Sequence, residues 1–149
     1  MKTRAQSFIL IVLVILFLGS LFFIGYTRNQ EIKPVLSATI SRDCAPWDGA
    51  AFTITVPMSD SAILDISIWQ SPDIHRPISF SFPDETQQIG NTSLLPQFGE
   101  PERLTGQVWL KNVSEGMPVE GRFSLTSESG AQLEAKFVAQ WDDQIVHCG

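Results

Sequence analysis

Nineteen consecutive uncharged residues, FILIVLVILFLGSLFFIGY from Phe8 to Tyr26, restrict this 149-residue chain more than anything else in it. As a helix rising 1.5 Å per residue, the run extends roughly 28 Å, close to the hydrocarbon thickness of a bilayer. Lys2 and Arg4 precede it as a cytoplasmic n-region would. A cleaved signal peptide is the competing reading. It requires small residues at −3 and −1 after a shorter apolar core, and here the run ends in Phe22-Phe23-Ile24-Gly25-Tyr26. An uncleaved signal-anchor is therefore expected, with residues 1–7 cytoplasmic, 8–26 spanning the bilayer and 27–34 a short polar linker. Arg28 and Lys33 on the far side nearly balance the flanking charge, so orientation must come from elsewhere.

It comes from the two cysteines. Cys44 and Cys148 flank most of the remaining chain, at a spacing that suits neither a metal site nor a C-x-x-C redox pair. A single disulfide joining the first and last segments is the expectation, and it places residues 35–149 outside the cytoplasm of a single-pass membrane protein.

Within 35–149 the hydrophobic period is two. Phe52, Ile54 and Val56 alternate with threonines, Leu64, Ile66 and Ile68 with Asp65 and Ser67, and Ile78, Phe80 and Phe82 with serines. Further series run through Val108 and Leu110, Val119 to Leu125, and Leu133 to Trp141, with 35–41 and 145–148 expected as first and last strands. Prolines and Asp/Ser/Gly clusters punctuate these runs. The expected fold is all-β, a small antiparallel β-sandwich or barrel of seven to nine strands preceded by the transmembrane helix.

The last third carries an internal rhyme. Val119-Glu-Gly-Arg-Phe-Ser-Leu125 is echoed by Leu133-Glu-Ala-Lys-Phe-Val-Ala139, each with a small residue two before a Phe. A hairpin is expected, and the charges in step suggest cross-strand ion pairs on its wet face, with residues 105–111 completing a three-strand meander.

Charge and motif content narrow the function. Residues 35–149 hold six basic and fifteen acidic side chains, a formal −9 that disfavours nucleic-acid binding. Neither His75, in a Pro-bracketed loop, nor His147, beside an oxidised Cys148, builds a triad, and no G-x-S-x-G surrounds any serine. Asp142, Asp143 and His147 are the best metal grouping, but a turn explains the aspartates equally well, so no metal or cofactor is expected. An unfamiliar acid pair such as Asp65 with Asp84 is the remaining enzymatic reading. Asn91-Thr-Ser and Asn112-Val-Ser match the glycosylation acceptor pattern.

Four tryptophans remain: Trp47, Trp69, Trp109 and Trp141. Trp69 and Trp109 fall on the face opposite the aliphatic residues of their strands, where indoles serve as a partner or sugar platform. Burial in a two-sided core would explain them too. The functional expectation is a non-enzymatic interaction or accessory module, held to the lipid bilayer by residues 8–26 and meeting a protein partner there. The alternative is small-ligand or carbohydrate binding by the β-domain.

Overall fold

A computed structural model describes residues 35–59, 61–86 and 88–148; the proposed anchor and linker lie outside the described residues. The described chain is all-β. Its strands are β1 (Val35–Cys44), β2 (Ala50–Ser59), β3 (Ala62–Ile68), β4 (Asp73–Ile74), β5 (Ile78–Phe82), β6 (Gly90–Pro96), β7 (Glu102–Leu110), β8 (Val113–Ser114), β9 (Val119–Ser127) and β10 (Gln132–Trp141). Seven of them close a barrel in the order β7-β6-β3-β2-β1-β10-β9, with β9 returning to β7. β5 pairs with the second half of β7 on the side where β6 pairs only with its start, and β4 and β8 form a separate two-residue bridge.

The alternation becomes a wall with one dry face. Ile40, Phe52, Ile54, Leu64, Ile66 and Phe137 are fully buried inside, and threonines, serines and charges face out. The outer residues are satisfied laterally: Thr53 donates to Asp43, and Thr55 to Asp65, each at 2.8 Å.

The sandwich-or-barrel choice resolves to the barrel, and three expectations need correction. First, the wall is not wholly antiparallel: β1 and β10 run parallel, Val35 opposite Lys136 through Ile40 opposite Trp141. Second, residues 145–148 are not a strand. Both edges of β1 are already taken by β2 and β10, which leaves the tail no ladder to join. Third, β6 is a strand that period-two reading passes over, because its inward positions include Gly90 and Thr92. Thr92 is tolerated in the core because its hydroxyl donates to the Leu104 carbonyl at 2.8 Å.

The rhyme in the last third is a packing device. In the β9–β10 register Phe123 sits opposite Ala135 and Phe137 opposite Gly121, so each ring fills the space left by the small residue across from it. The rings stack at 6.3 Å between centroids. A Cβ at Gly121 would collide with the Phe137 ring. The expected opposition of unlike charges does not arise in this register: Lys136 faces Arg122, Glu120 faces Val138, and Glu134 faces Ser124, whose hydroxyl it accepts at 2.8 Å. Identical spacing of the two strands puts like opposite like once the phenylalanines dictate the alignment.

The Cys44–Cys148 disulfide forms, with Cα atoms 5.6 Å apart. It fastens the C-terminal tail to the end of β1.

Two stability outcomes are expected. Gly106 has a φ of +137°, and a Cβ there would strike the carbonyl oxygen of Ser124 on the neighbouring strand, so Gly106→Ala should cost about 2 kcal/mol or more. A urea unfolding curve with an unchanged midpoint would contradict this. Cys44→Ser with Cys148→Ser should lower stability by at most about 4.7 kcal/mol, the chain-entropy figure for a loop near 100 residues, read from the same curves with intact mass confirming no free thiol in the parent.

Candidate functional site

Antiparallel connections sort the loops to two ends. At one end β1 begins, and the β2–β3, β6–β7 and β9–β10 connections turn. At the other lie the β1–β2 loop, the long β3–β6 connection, the β7–β9 connection, the C-terminal tail and the disulfide. All four tryptophans belong to this distal end. Trp47 is in the β1–β2 loop, Trp69 follows β3, Trp109 is the penultimate residue of β7, and Trp141 closes β10.

Each indole is held differently. Trp47 and Trp69 meet edge to face, centroids 5.7 Å apart, and the Trp69 amide donates to the Ile89 carbonyl at 2.8 Å. Trp47 remains 52% exposed, on a tight turn closed by the Ala45 amide donating to the Gly49 carbonyl. Trp141 is half-buried, its indole N–H donating to the Ser114 carbonyl at 2.9 Å. Trp109 stands on the outer wall, half-buried, with the Arg122 guanidinium 4.6 Å above its ring. The two residues singled out by alternation, Trp69 and Trp109, thus share an end of the barrel but line separate hollows.

The first hollow, about 550 Å³, lies across β5, β7 and β9. Ile78, Trp109, Leu110 and Gly121 give it an apolar lining, and Lys111, Arg122 and Lys136 bring positive charge to it. The second, about 350 Å³, sits where β5 wedges β6 away from β7; Trp69, Phe82 and Asn91 line it, with Arg103, Asp84 and Glu128 of mixed sign. The Asp84 carboxyl is held below its usual range, first by the Thr86 hydroxyl and then by the backbone amides that follow.

Sequence reading missed Arg42, which ties the distal end together. Its Nε and Nη2 grip the Glu115 carboxylate at 3.1 and 2.9 Å, its Nη1 donates to the Gln144 carbonyl at 3.2 Å, and its guanidinium lies 5.7 Å from the Trp141 ring centroid. Two segments far from β1 in sequence, the β8–β9 turn and the C-terminal stretch from Trp141 to Gln144, converge on one side chain. Nothing local marks it, because Arg42 sits in a strand with no acid at a recognisable spacing.

Among the described residues, His75, Asp65 and Asp84 are each held by a local partner. His75 pairs with Asp73 at 2.9 Å in the open. Asp65 is engaged by Thr55 and Asp84 by Thr86, each within its own neighbourhood. Among the described residues, no three His, Cys, Asp or Glu side chains converge as metal ligands. Asn91 and Asn112 are both exposed.

Comparison with family models, with curated proteins and with solved structures finds nothing that matches this chain.

The Arg42–Glu115 pair is expected to make stability pH-dependent. Hydrogen bonds from Arg42 hold the Glu115 carboxyl below its ordinary value. A carboxyl depressed in the folded state stabilises above its unfolded pKa and loses that contribution as pH falls through the folded one. The unfolding midpoint of the parent should therefore exceed that of Glu115→Gln at neutral pH, and the gap should close as the pH drops below the ordinary carboxylate range. A gap independent of pH would show that the pair contributes nothing through charge.

Proposed function

We propose that this protein is a membrane-anchored accessory module. Residues 8–26 hold it in the bilayer, the barrel lies outside the cytoplasm, and the distal end of the barrel docks a protein partner. The disulfide supports the compartment, since such bonds persist in oxidising surroundings. The gathering of all four tryptophans at one end carries the docking assignment. Indoles combine a large apolar surface with an N–H that tolerates water, which is why they dominate the energetics of protein interfaces. Beside them at that end Met117 and Ile145 are 60% and 77% exposed, so apolar surface is on offer there without a core to fill.

Small-ligand binding is the second reading, and the 550 Å³ hollow is the observation in its favour. The interior of the barrel offers it less, filled as it is by Phe52, Phe80, Phe123 and Phe137.

In-cell crosslinking of the full-length protein, followed by mass spectrometry, should recover a stoichiometric partner. Trp47→Ala should reduce that recovery at least tenfold, the effect of losing about 1.4 kcal/mol at an interface hot spot. Phe98→Ala, which removes a side chain 86% exposed on the β6–β7 loop at the opposite end, should leave it unchanged. Equal recovery from both variants would remove the distal end from consideration.

A further inference from the structure

We infer that the hollow across β5, β7 and β9 binds a carboxylate carried on an apolar body. It rests on the docking reading only for the identity of the natural partner; the binding chemistry stands on the hollow itself.

Charge distribution is the first reason. Residues 35–149 contain six basic side chains against fifteen acidic ones, yet Lys111, Arg122 and Lys136, half of the basic set, line this one hollow with a single acid, Glu120. Glu120 is committed at the rim, where Lys111 reaches it at 3.3 Å with both side chains well exposed.

The register supplies the second. Across three neighbouring strands Trp109, Arg122 and Lys136 stand directly opposite one another, and Val35 of β1 continues the row beyond Lys136. Neither cation therefore has an acid directly across from it in the ladder. Two like charges facing each other across a ladder repel, and an anion between them turns that repulsion into attraction on both sides. Arg122 is well placed to receive one. Its guanidinium lies over the indole of Trp109, which leaves edge N–H groups to meet a planar acceptor.

Lining decides the class of anion. Ile78, Trp109, Leu110 and Gly121 are apolar, so a bare hydrated ion gains little in the hollow, while a group with hydrocarbon or aromatic surface next to its charge gains from both. The −9 formal charge of the surrounding domain disfavours multiply charged anions more than a single carboxylate. Such a carboxylate occurs on a free aromatic or aliphatic acid and on an acidic residue beside a hydrophobic one in a protein segment. The second hollow carries charges of both signs and makes no equivalent selection.

The test uses the full chain in nanodiscs of zwitterionic lipid, following the indole N–H signal of Trp109 by NMR. The probes are 3-phenylpropionate, its uncharged amide, and a terminally capped heptapeptide with a single Glu beside a Phe. Both acids should shift the Trp109 signal and the amide should not. Raising salt should weaken the response. Arg122→Gln with Lys136→Gln should weaken binding at least tenfold while the Trp141 signal stays in place. Lys136→Gln alone, at an exposed position, serves if the double variant fails to fold, and should weaken binding severalfold. Tighter binding of the peptide than of the small acid assigns the site to a protein segment, and the reverse to a free acid. No shift from either acid at ~10 mM, a range that covers binding as weak as a few kcal/mol, overturns the inference, as does an equal response to the amide. Crosslinking to a partner that persists in the double variant, with both acids silent, would remove this site and leave the docking module standing. Loss of the partner in Trp47→Ala with both acids still binding would keep both.

Discussion

The parallel ladder between β1 and β10 is the contact on which the rest of this structure depends. It joins the first and last strands of the fold, and without it the sheet would be open, with an unpaired row of backbone donors and acceptors along each side. Closure gives every strand of the seven-strand wall a neighbour on both sides, although β6 and β7 pair over only two residues, where β5 takes up the rest of β7. It also fixes which residues meet: the C-terminus of β10 arrives beside β1, the Asp142 amide donates to the Ile40 carbonyl, and the tail runs back toward Cys44. The disulfide fastens a geometry that the ladder has already set.

From closure follows the difference between the two ends. One gathers short turns; the other gathers the longer connections, the tail and every tryptophan. Arg42 shows how that end holds together, since a single guanidinium reaches a glutamate from the β8–β9 turn, a carbonyl from the tail and the ring of Trp141. Loops are where binding residues usually sit, supported by a rigid scaffold. Here the scaffold is a barrel packed inside by Phe52, Phe80, Phe123 and Phe137, so the outer wall and rim are the surfaces it presents.

The relation between sequence and structure is clearest in β9 and β10. Their matched spacing of small residue and phenylalanine is visible as a rhyme, and it announces a hairpin. What it announces about charge is misleading. Reciprocal seating of Phe123 on Ala135 and Phe137 on Gly121 selects the register, and a few tenths of a kcal/mol from surface ion pairs cannot shift it against a core contact. Arg122 is left facing Lys136, and the cationic hollow is a by-product of packing on the other side of the wall. Strand β6 is hidden for the opposite reason, because its inward Thr92 looks like a solvent residue until the Leu104 carbonyl is seen beside it.

The sequence by itself determined the all-β class, most of the strands, the faces they bury and the pairing of its only two cysteines. Those follow from local periodicity and from elimination, which need no knowledge of neighbours. Only the tertiary structure decided that the sheet closes as a barrel, that β1 and β10 are parallel, that Arg42 is a hub and that Trp69 and Trp109 line different hollows. Each of these depends on which strands lie side by side and in what register. Register is chosen by the summed fit of side chains inside the barrel, a property of the whole wall that no single stretch of the chain contains.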